Sequence, residues 1–350
     1  MLTSLLRLIR RFPRASLVCG LAVAAALVIN AGQGPPPWSV QQVRRALGVA
    51  AASTSKPAAA GAAVSETSGL RVLHRHIALD DRTVAHPGAP AVTAATGILI
   101  DPDAGEILWA KDAHAARAPA STTKIVSSLV ALENFAPDTV LTVTRSALVQ
   151  APDETMMGIE VGDRYTVAEL LQGMLLVSAN DAATTLATET VGMRRFVLAM
   201  NEQMAALGLH DSHFVTPVGL DDPQHYSSAY DLAVAGLAAY DGFDMFRSLV
   251  GTRDLDVPAT GGHNAYRLHN ISRILSAYPP ATGIKSGYTG GAGYCLVAMA
   301  ERDGHRMLAV LLDDGHMVSD ARALMEWGFM QEGLGPLPTP TPVPTLRPHR

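Results

Sequence analysis

The spacing of hydrophobic positions changes along the chain, and each change predicts a different element. Between residues 97 and 110 two short apolar runs, 97–100 and 106–110, flank Asp101-Pro102-Asp103-Ala104-Gly105. Turn-forming residues between two apolar runs predict a hairpin. Over 121–135 the period becomes helical, with Ile125, Leu129 and Leu132 on one face. Thr166 and Glu169 stand three apart before LLQGMLLV, the pattern of a capping box, and predict a helix to about Val177. Asp181 is expected to cap the helix after it. Residues 193–207 carry Phe196, Met200, Met204 and Leu207 on one face and stop at Gly208, a stripe that belongs to a core. A second hairpin is expected from 293–302 and 306–312 around Asp303-Gly304, then a closing amphipathic helix over 319–330. Strands, a helical middle, strands again and a terminal helix define an α/β (α+β) chain. They imply a mixed sheet whose halves are separated by a helical insertion.

The two ends follow other rules. Arg7, Arg10, Arg11 and Arg14 precede an uncharged apolar run over 15–29. A basic segment before an apolar core of that length predicts a secretory signal or an uncleaved signal anchor over 1–33, with the remainder exported. Residues 34–84 are rich in Pro, Ala and Ser and read as linker, and 333–350 as a Pro/Thr-rich disordered tail. The folded domain is expected at 85–332, a size that suits one large domain.

Composition narrows the classes. With 48% hydrophobic and 17% charged residues, the 350-residue chain can bury a core and is not mostly disordered. Its net charge of −5 argues against a generally basic nucleic-acid binder. Residues 1–65 hold seven basic residues and no acid, leaving 20 basic against 32 acidic residues in the rest. Cys19 and Cys295 are too far apart in sequence and context to form a disulfide framework. Val18 stands where lipid modification of Cys19 would take a small residue, and Cys295 reads as core. The DPDAGE string lacks the other ligands of a calcium loop. His74 and His76 have no third ligand nearby, and His225 is expected to hold a loop, so neither metal nor organic cofactor is expected.

Three short strings carry candidate chemistry. In Ser121-Thr122-Thr123-Lys124, a serine at a helix start has a lysine on the same face three residues later. An amine of depressed pKa held beside a hydroxyl can accept its proton. Ser178-Ala179-Asn180 forms a corner between two helices, where a hydroxyl can relay a proton and an amide can orient a partner. Lys285-Ser286-Gly287-Tyr288 leads into a strand. It offers positive potential, a hydroxyl for a carboxylate, and a glycine that permits close backbone approach. Each string alone reads as ordinary caps and turns. Together, in this order, they match the triple of class A β-lactamases and penicillin-binding proteins.

With these strings and the flanking GILIDPDAGEILWAKDAHAARAPASTTK and GIKSGYTGGAGYCLVAMAERDGHRMLAVLL, the chain resembles the serine-type D-alanyl-D-alanine carboxypeptidases, the low-molecular-mass penicillin-binding proteins. The likeness covers about 94–330. It implies the serine β-lactamase/penicillin-binding-protein-like fold, an antiparallel sheet flanked by helices with a helical subdomain. It also implies removal of the terminal D-alanine from peptidoglycan stem pentapeptides, with β-lactam antibiotics as covalent inhibitors. By resemblance Ser121 is the nucleophile, Lys124 its base and Ser178 a proton relay. Asn180, Lys285, Ser286, Gly287 and Tyr288 bind substrate, and the N–H groups of Ser121 and Tyr288 form the oxyanion hole. The chain has Lys-Ser-Gly where the family usually has Lys-Thr-Gly, and Thr216-Pro217-Val218-Gly219-Leu220 where relatives often carry a longer string. A class A-like β-lactamase, a peptidoglycan endopeptidase and a non-catalytic penicillin-binding wall protein are the alternatives. No Glu-x-x-x-Asn string for deacylation lies between Ser178 and Lys285. Membrane attachment, if present, would use the N-terminal segment.

Overall fold

The computed structural model of the chain describes residues 67–75, 77, 79, 88–148 and 155–337. The expected first hairpin forms as β1 (Thr96–Asp101) and β2 (Glu106–Lys111). Its turn is fixed by the Asp101 carboxylate, which accepts the N–H groups of Asp103 at 2.8 Å and Ala104 at 3.0 Å. A 3-10 turn, Ala120–Thr123, leads into α1 (Lys124–Asn134). Two short strands, β3 (Val140–Thr142) and β4 (Arg164–Thr166), pair before α2 (Val167–Leu176). The capping box at the start of α2 forms as expected, with Thr166 and Glu169 each accepting the other's backbone N–H.

The helical insertion continues through α3 (Asn180–Thr190), α4 (Met193–Ala206), α5 (Ala229–Gly242) and α6 (Asp244–Gly251). A small ladder of β5 (Asp254–Val257) and β6 (Tyr266–His269) and the short α7 (Ile274–Ala277) follow. The chain then returns to the sheet as β7 (Ala281–Thr289), β8 (Gly293–Arg302) and β9 (His305–Leu312), and closes with α8 (Met317–Gln331).

The five long strands form one sheet in the order β2-β1-β9-β8-β7. Every pairing in it is antiparallel, which corrects the mixed sheet expected from the pattern. The two halves meet where β1 pairs β9, so the long helical insertion returns the chain as a reversed neighbour. Strand alternation divides the core in two. Ile98, Ile100, Val297, Met299, Leu308 and Val310 face one cluster with α1, α2 and α5. Leu99, Leu296, Ala298, Met307, Ala309 and Leu311 face another with α8. Covering both faces explains why β8 and β9 read as nearly continuous apolar runs.

Two further expectations change. Asp181 does not cap α3: Ala179 holds the N-cap position. The Asp181 carboxylate instead accepts the backbone N–H groups of Met157, Gly158 and Ile159 at 2.9–3.2 Å, tying the chain before β4 to α3. Part of the segment expected as linker also lies against the domain. Ser68 is buried and hydrogen-bonded to Glu202, Gln203 exchanges two hydrogen bonds with the Leu73 backbone, and Leu70, Leu73, Ile77 and Leu79 pack on the main core. Composition alone missed this contact, because the polar partners are on α4, more than 120 residues away. The signal segment, Cys19, His76 and the tail beyond 337 lie outside the described residues.

The outer core can be tested apart from the cleft. Leu324→Ala, fully buried on α8, is expected to cost about 2–5 kcal/mol in denaturant unfolding. Reactivity per folded molecule should be unchanged at 25 °C.

Candidate active site

Segments distant in sequence meet at the start of α1. Ser121 sits half-buried in the 3-10 turn. Lys124, one turn later, is completely buried. Its Nζ lies 3.0 Å from Ser121 Oγ, 2.6 Å from Asn180 Oδ1 and 3.1 Å from the Val218 carbonyl oxygen. Asn180 opens α3, whereas Val218 belongs to the segment following α4. A neutral amine has two N–H bonds and one lone pair. The Ser121 hydroxyl is within hydrogen-bond reach of that nitrogen, so a neutral Lys124 and the serine can exchange a proton.

The turn that presents Ser121 is held in an unusual shape. Ala120 has φ +48°, a left-handed value uncommon for a residue with a Cβ. Thr122 Oγ1 donates to the Pro119 carbonyl at 2.6 Å, and Thr123 Oγ1 to the Ala120 carbonyl at 2.8 Å. Behind it runs the 215–219 segment, fixed to α1 by a 2.7 Å bond from Ser127 Oγ to the Pro217 carbonyl. Gly219, at φ +89°, has no room for a side chain, since a Cβ there would overlap the Ala120 carbonyl.

Ser178 stands beside this group without bonding to it. Its φ is +61°, and its buried Oγ has no hydrogen-bond partner among the described residues. An unsatisfied buried hydroxyl two residues from Asn180 can take a proton from, or give one to, a group that enters the cleft.

β7 forms the other wall. It is an edge strand of the sheet, hydrogen-bonded to β8 alone among the named strands. A Cβ at Gly287 would lie 2.6 Å from the Ser121 nitrogen and 2.9 Å from Ala120 Cβ. The strand therefore meets the nucleophile turn backbone to backbone. Lys285 is buried, with its Nζ donating to the Ser286 carbonyl at 2.7 Å, and burial pulls its pKa down to about 7. Ser286 is buried beside it, and Tyr288 is exposed, its ring 4.5 Å from that of Tyr294 across the β7–β8 ladder.

The structure thus joins Ser121, Lys124 and Asn180 directly and sets Gly287 against Ser121. Ser178 is on the same corner as Asn180, and Lys285, Ser286 and Tyr288 are on the same strand as Gly287. The carbonyl of Val218 was not visible in the sequence as a partner of the lysine. Backbone acceptors leave no residue-type signal, and the Thr216–Leu220 string stood out only as a departure from the family pattern.

A sheet with α8 on one face, a helical insertion on the other and a half-buried serine beside a buried lysine at the start of α1 is the penicillin-binding-protein and β-lactamase fold. Residues 83–316 match the D-alanyl-D-alanine carboxypeptidase family, and the chain belongs to that family. It is 35% identical over 248 residues to the D-alanyl-D-alanine carboxypeptidase DacB2 of Mycobacterium tuberculosis, covering 69% of this chain and 84% of the relative. It is 34% identical over 227 residues to DacF of Bacillus subtilis, covering 62% of this chain and 57% of that protein. The chain thus spans little more than half the length of DacF. Among solved structures, a Streptomyces DD-transpeptidase superposes with TM-score 0.65 at 30% identity, covering 69% of this chain and 98% of that one.

The contact between β7 and the nucleophile turn predicts that Gly287→Ala pushes Ser121 out of place. Labelling by a fluorescent penicillin should slow at least about tenfold, with the far-UV circular dichroism spectrum unchanged. Labelling at the wild-type rate would show that the contact is not constraining.

Proposed function

We propose that this chain is a serine-type D-Ala-D-Ala carboxypeptidase, which removes the terminal D-alanine from peptidoglycan stem pentapeptides through an acyl-enzyme on Ser121. The observation that carries the reading is the buried Lys124 amine, 3.0 Å from the Ser121 hydroxyl and held from behind by Asn180 and Val218.

The chemistry follows from the geometry. Lys124 takes the proton of Ser121 as Oγ attacks the carbonyl carbon of the penultimate D-alanine. Electrons move to the carbonyl oxygen, which the N–H groups of Ser121 and Tyr288 receive. Collapse breaks the C–N bond, and the leaving amine of D-alanine takes a proton relayed through Ser178. Water, deprotonated by Lys124, then releases the shortened peptide and restores Ser121. Lys285 and the Ser286 hydroxyl receive the terminal carboxylate, Asn180 orients the peptide, and Gly287 lets it lie close to β7. A β-lactam presents a carboxylate and a strained amide in the same arrangement and acylates the same serine.

The substrate is outside the cytoplasm, so the family membership supports an extracytoplasmic enzyme. In this reading residues 1–33 direct export and either remain as a membrane anchor or are removed. The catalytic domain occupies 85–332, and the tail extends from it. Among the described residues no helix is long and apolar enough to cross a membrane.

Two outcomes test the reading. Incubation with an N-acylated Lys-D-Ala-D-Ala peptide should release free D-alanine, and Ser121→Ala should reduce release at least about a thousandfold. Rapid turnover of penicillin without D-alanine release would favour a β-lactamase, and D-alanine release with the shortened peptide joined to an added amine instead of to water would favour a transpeptidase.

Lys285 adds a pH dependence. Its ammonium form predominates below about 7 and its charge is lost above that value. In the unfolded chain the amine keeps its proton to near 10.5, so this group makes stability rise with pH between about 7 and 10.5. Carboxylate binding should weaken over the same rise. We expect kcat/KM to fall through a limb near pH 7 that is absent from kcat at saturating substrate. A KM that stays level from pH 6 to 9 would contradict this role.

A further inference from the structure

We infer that His225, acting through Thr123, is a positioning residue that orients the Ala120–Ser121 peptide so that the Ser121 N–H points into the oxyanion site. The inference rests on the acyl-serine reading above.

His225 lies between α4 and α5, more than 100 residues from Thr123, and is buried. The Val215 N–H donates to its Nδ1 at 3.2 Å. That bond leaves Nδ1 as an acceptor and places the ring proton on Nε2. Nε2 is 2.9 Å from Thr123 Oγ1 and therefore donates to it. The Thr123 hydroxyl, having accepted, turns its own proton to the Ala120 carbonyl at 2.8 Å. Three hydrogen bonds thus run in one direction from the Val215 backbone to the Ala120 carbonyl.

The last acceptor matters because of what lies across the same peptide bond. The Ala120 carbonyl and the Ser121 N–H are opposite ends of one planar unit. Anchoring the carbonyl fixes the direction of the N–H, and a charge-free chain of donors polarises the peptide toward donation. The unit needs an anchor. Ala120 is held at φ +48° with no glycine to ease it, and Gly219 and Gly287 press on it from two sides without side chains. Thr123 alone has a freely rotating hydroxyl; the histidine donor removes that freedom.

The ring is suited to remaining neutral. Burial lowers its pKa to about 4, and of the nearby groups Asp222 opposes the shift while His213 adds to it. Protonation would put a hydrogen on Nδ1 facing the Val215 N–H and break the chain at its first link. The Phe214 ring, itself fully buried, stands edge-on 5.3 Å away.

The test separates positioning from support of the fold. Acylation by a penicillin is resolved by stopped flow into a non-covalent Kd and a rate constant for serine acylation, alongside the Ki of a boronic acid that forms a tetrahedral serine adduct. His225→Ala and Thr123→Val should each lower the acylation rate about 10- to 100-fold, less than outright loss of an oxyanion donor. Boronate affinity should fall in parallel, while the Kd stays within about threefold. His225→Gln, whose amide can donate to Thr123 Oγ1, should recover most of the loss, and so should Thr123→Ser. The double variant should be no slower than the slower single one. Unchanged acylation in the single variants, a loss confined to Kd, or losses that multiply in the double variant would overturn the inference. If His225→Ala does not fold, the Thr123→Val and Thr123→Ser pair decides alone. Wild-type protein that fails to acylate at all overturns the underlying reading, whereas wild-type acylation with indifferent variants overturns only this one.

Discussion

The cleft depends on one buried amine. Removing a lysine nitrogen from water is costly unless its protons find acceptors, and at Lys124 those acceptors come from separated parts of the chain. Asn180 supplies an amide oxygen from the start of α3, and Val218 a backbone carbonyl from the segment after α4. Satisfying the lysine therefore draws the helical insertion onto the N-terminal end of α1. The same nitrogen lies 3.0 Å from the Ser121 hydroxyl. The contacts that make burial tolerable therefore also hold the amine beside the serine.

The sheet supplies the opposite wall by a constraint of its own. Both faces of β8 and β9 are covered, and β7 ends the strand order on the side of the cleft. Gly287 lets that edge approach the Ser121 backbone directly. A substrate pairing with β7 would therefore pass beside the serine. The second lysine, Lys285, sits on this strand, sequestered from solvent and held near neutrality by burial. The two buried lysines thus have different surroundings, Lys124 beside the Ser121 hydroxyl and Lys285 against the Ser286 carbonyl.

Much of this was legible in the sequence, for identifiable reasons. The hairpins, the capping box at Thr166 and the stripe on α4 carry local signals of period and turn chemistry, and each formed where expected. The order of the three polar strings pointed to the segments that the fold brings together around Ser121, because side-chain chemistry is written in residue type. What the pattern missed depended on the tertiary setting. The Ala-rich α5 is buried on nearly every side and so shows no amphipathic period. Asp181 has the composition of a cap, yet three N–H groups from residues 157–159 claim its carboxylate. The antiparallel sense of the whole sheet was decided by the β1–β9 pairing, which joins residues more than 200 apart. The Val218 carbonyl and the contacts of Ser68 and Leu73 with α4 are likewise long-range, and no local window contains them.

The most direct measurement is peptide mapping by mass spectrometry after brief exposure of the full chain to benzylpenicillin. A single covalent adduct, of the mass of the intact antibiotic, is expected on the peptide containing Ser121, absent from Ser121→Ala and strongly reduced in Lys124→Ala. An unmodified wild-type chain, or an adduct on any other residue, would contradict it.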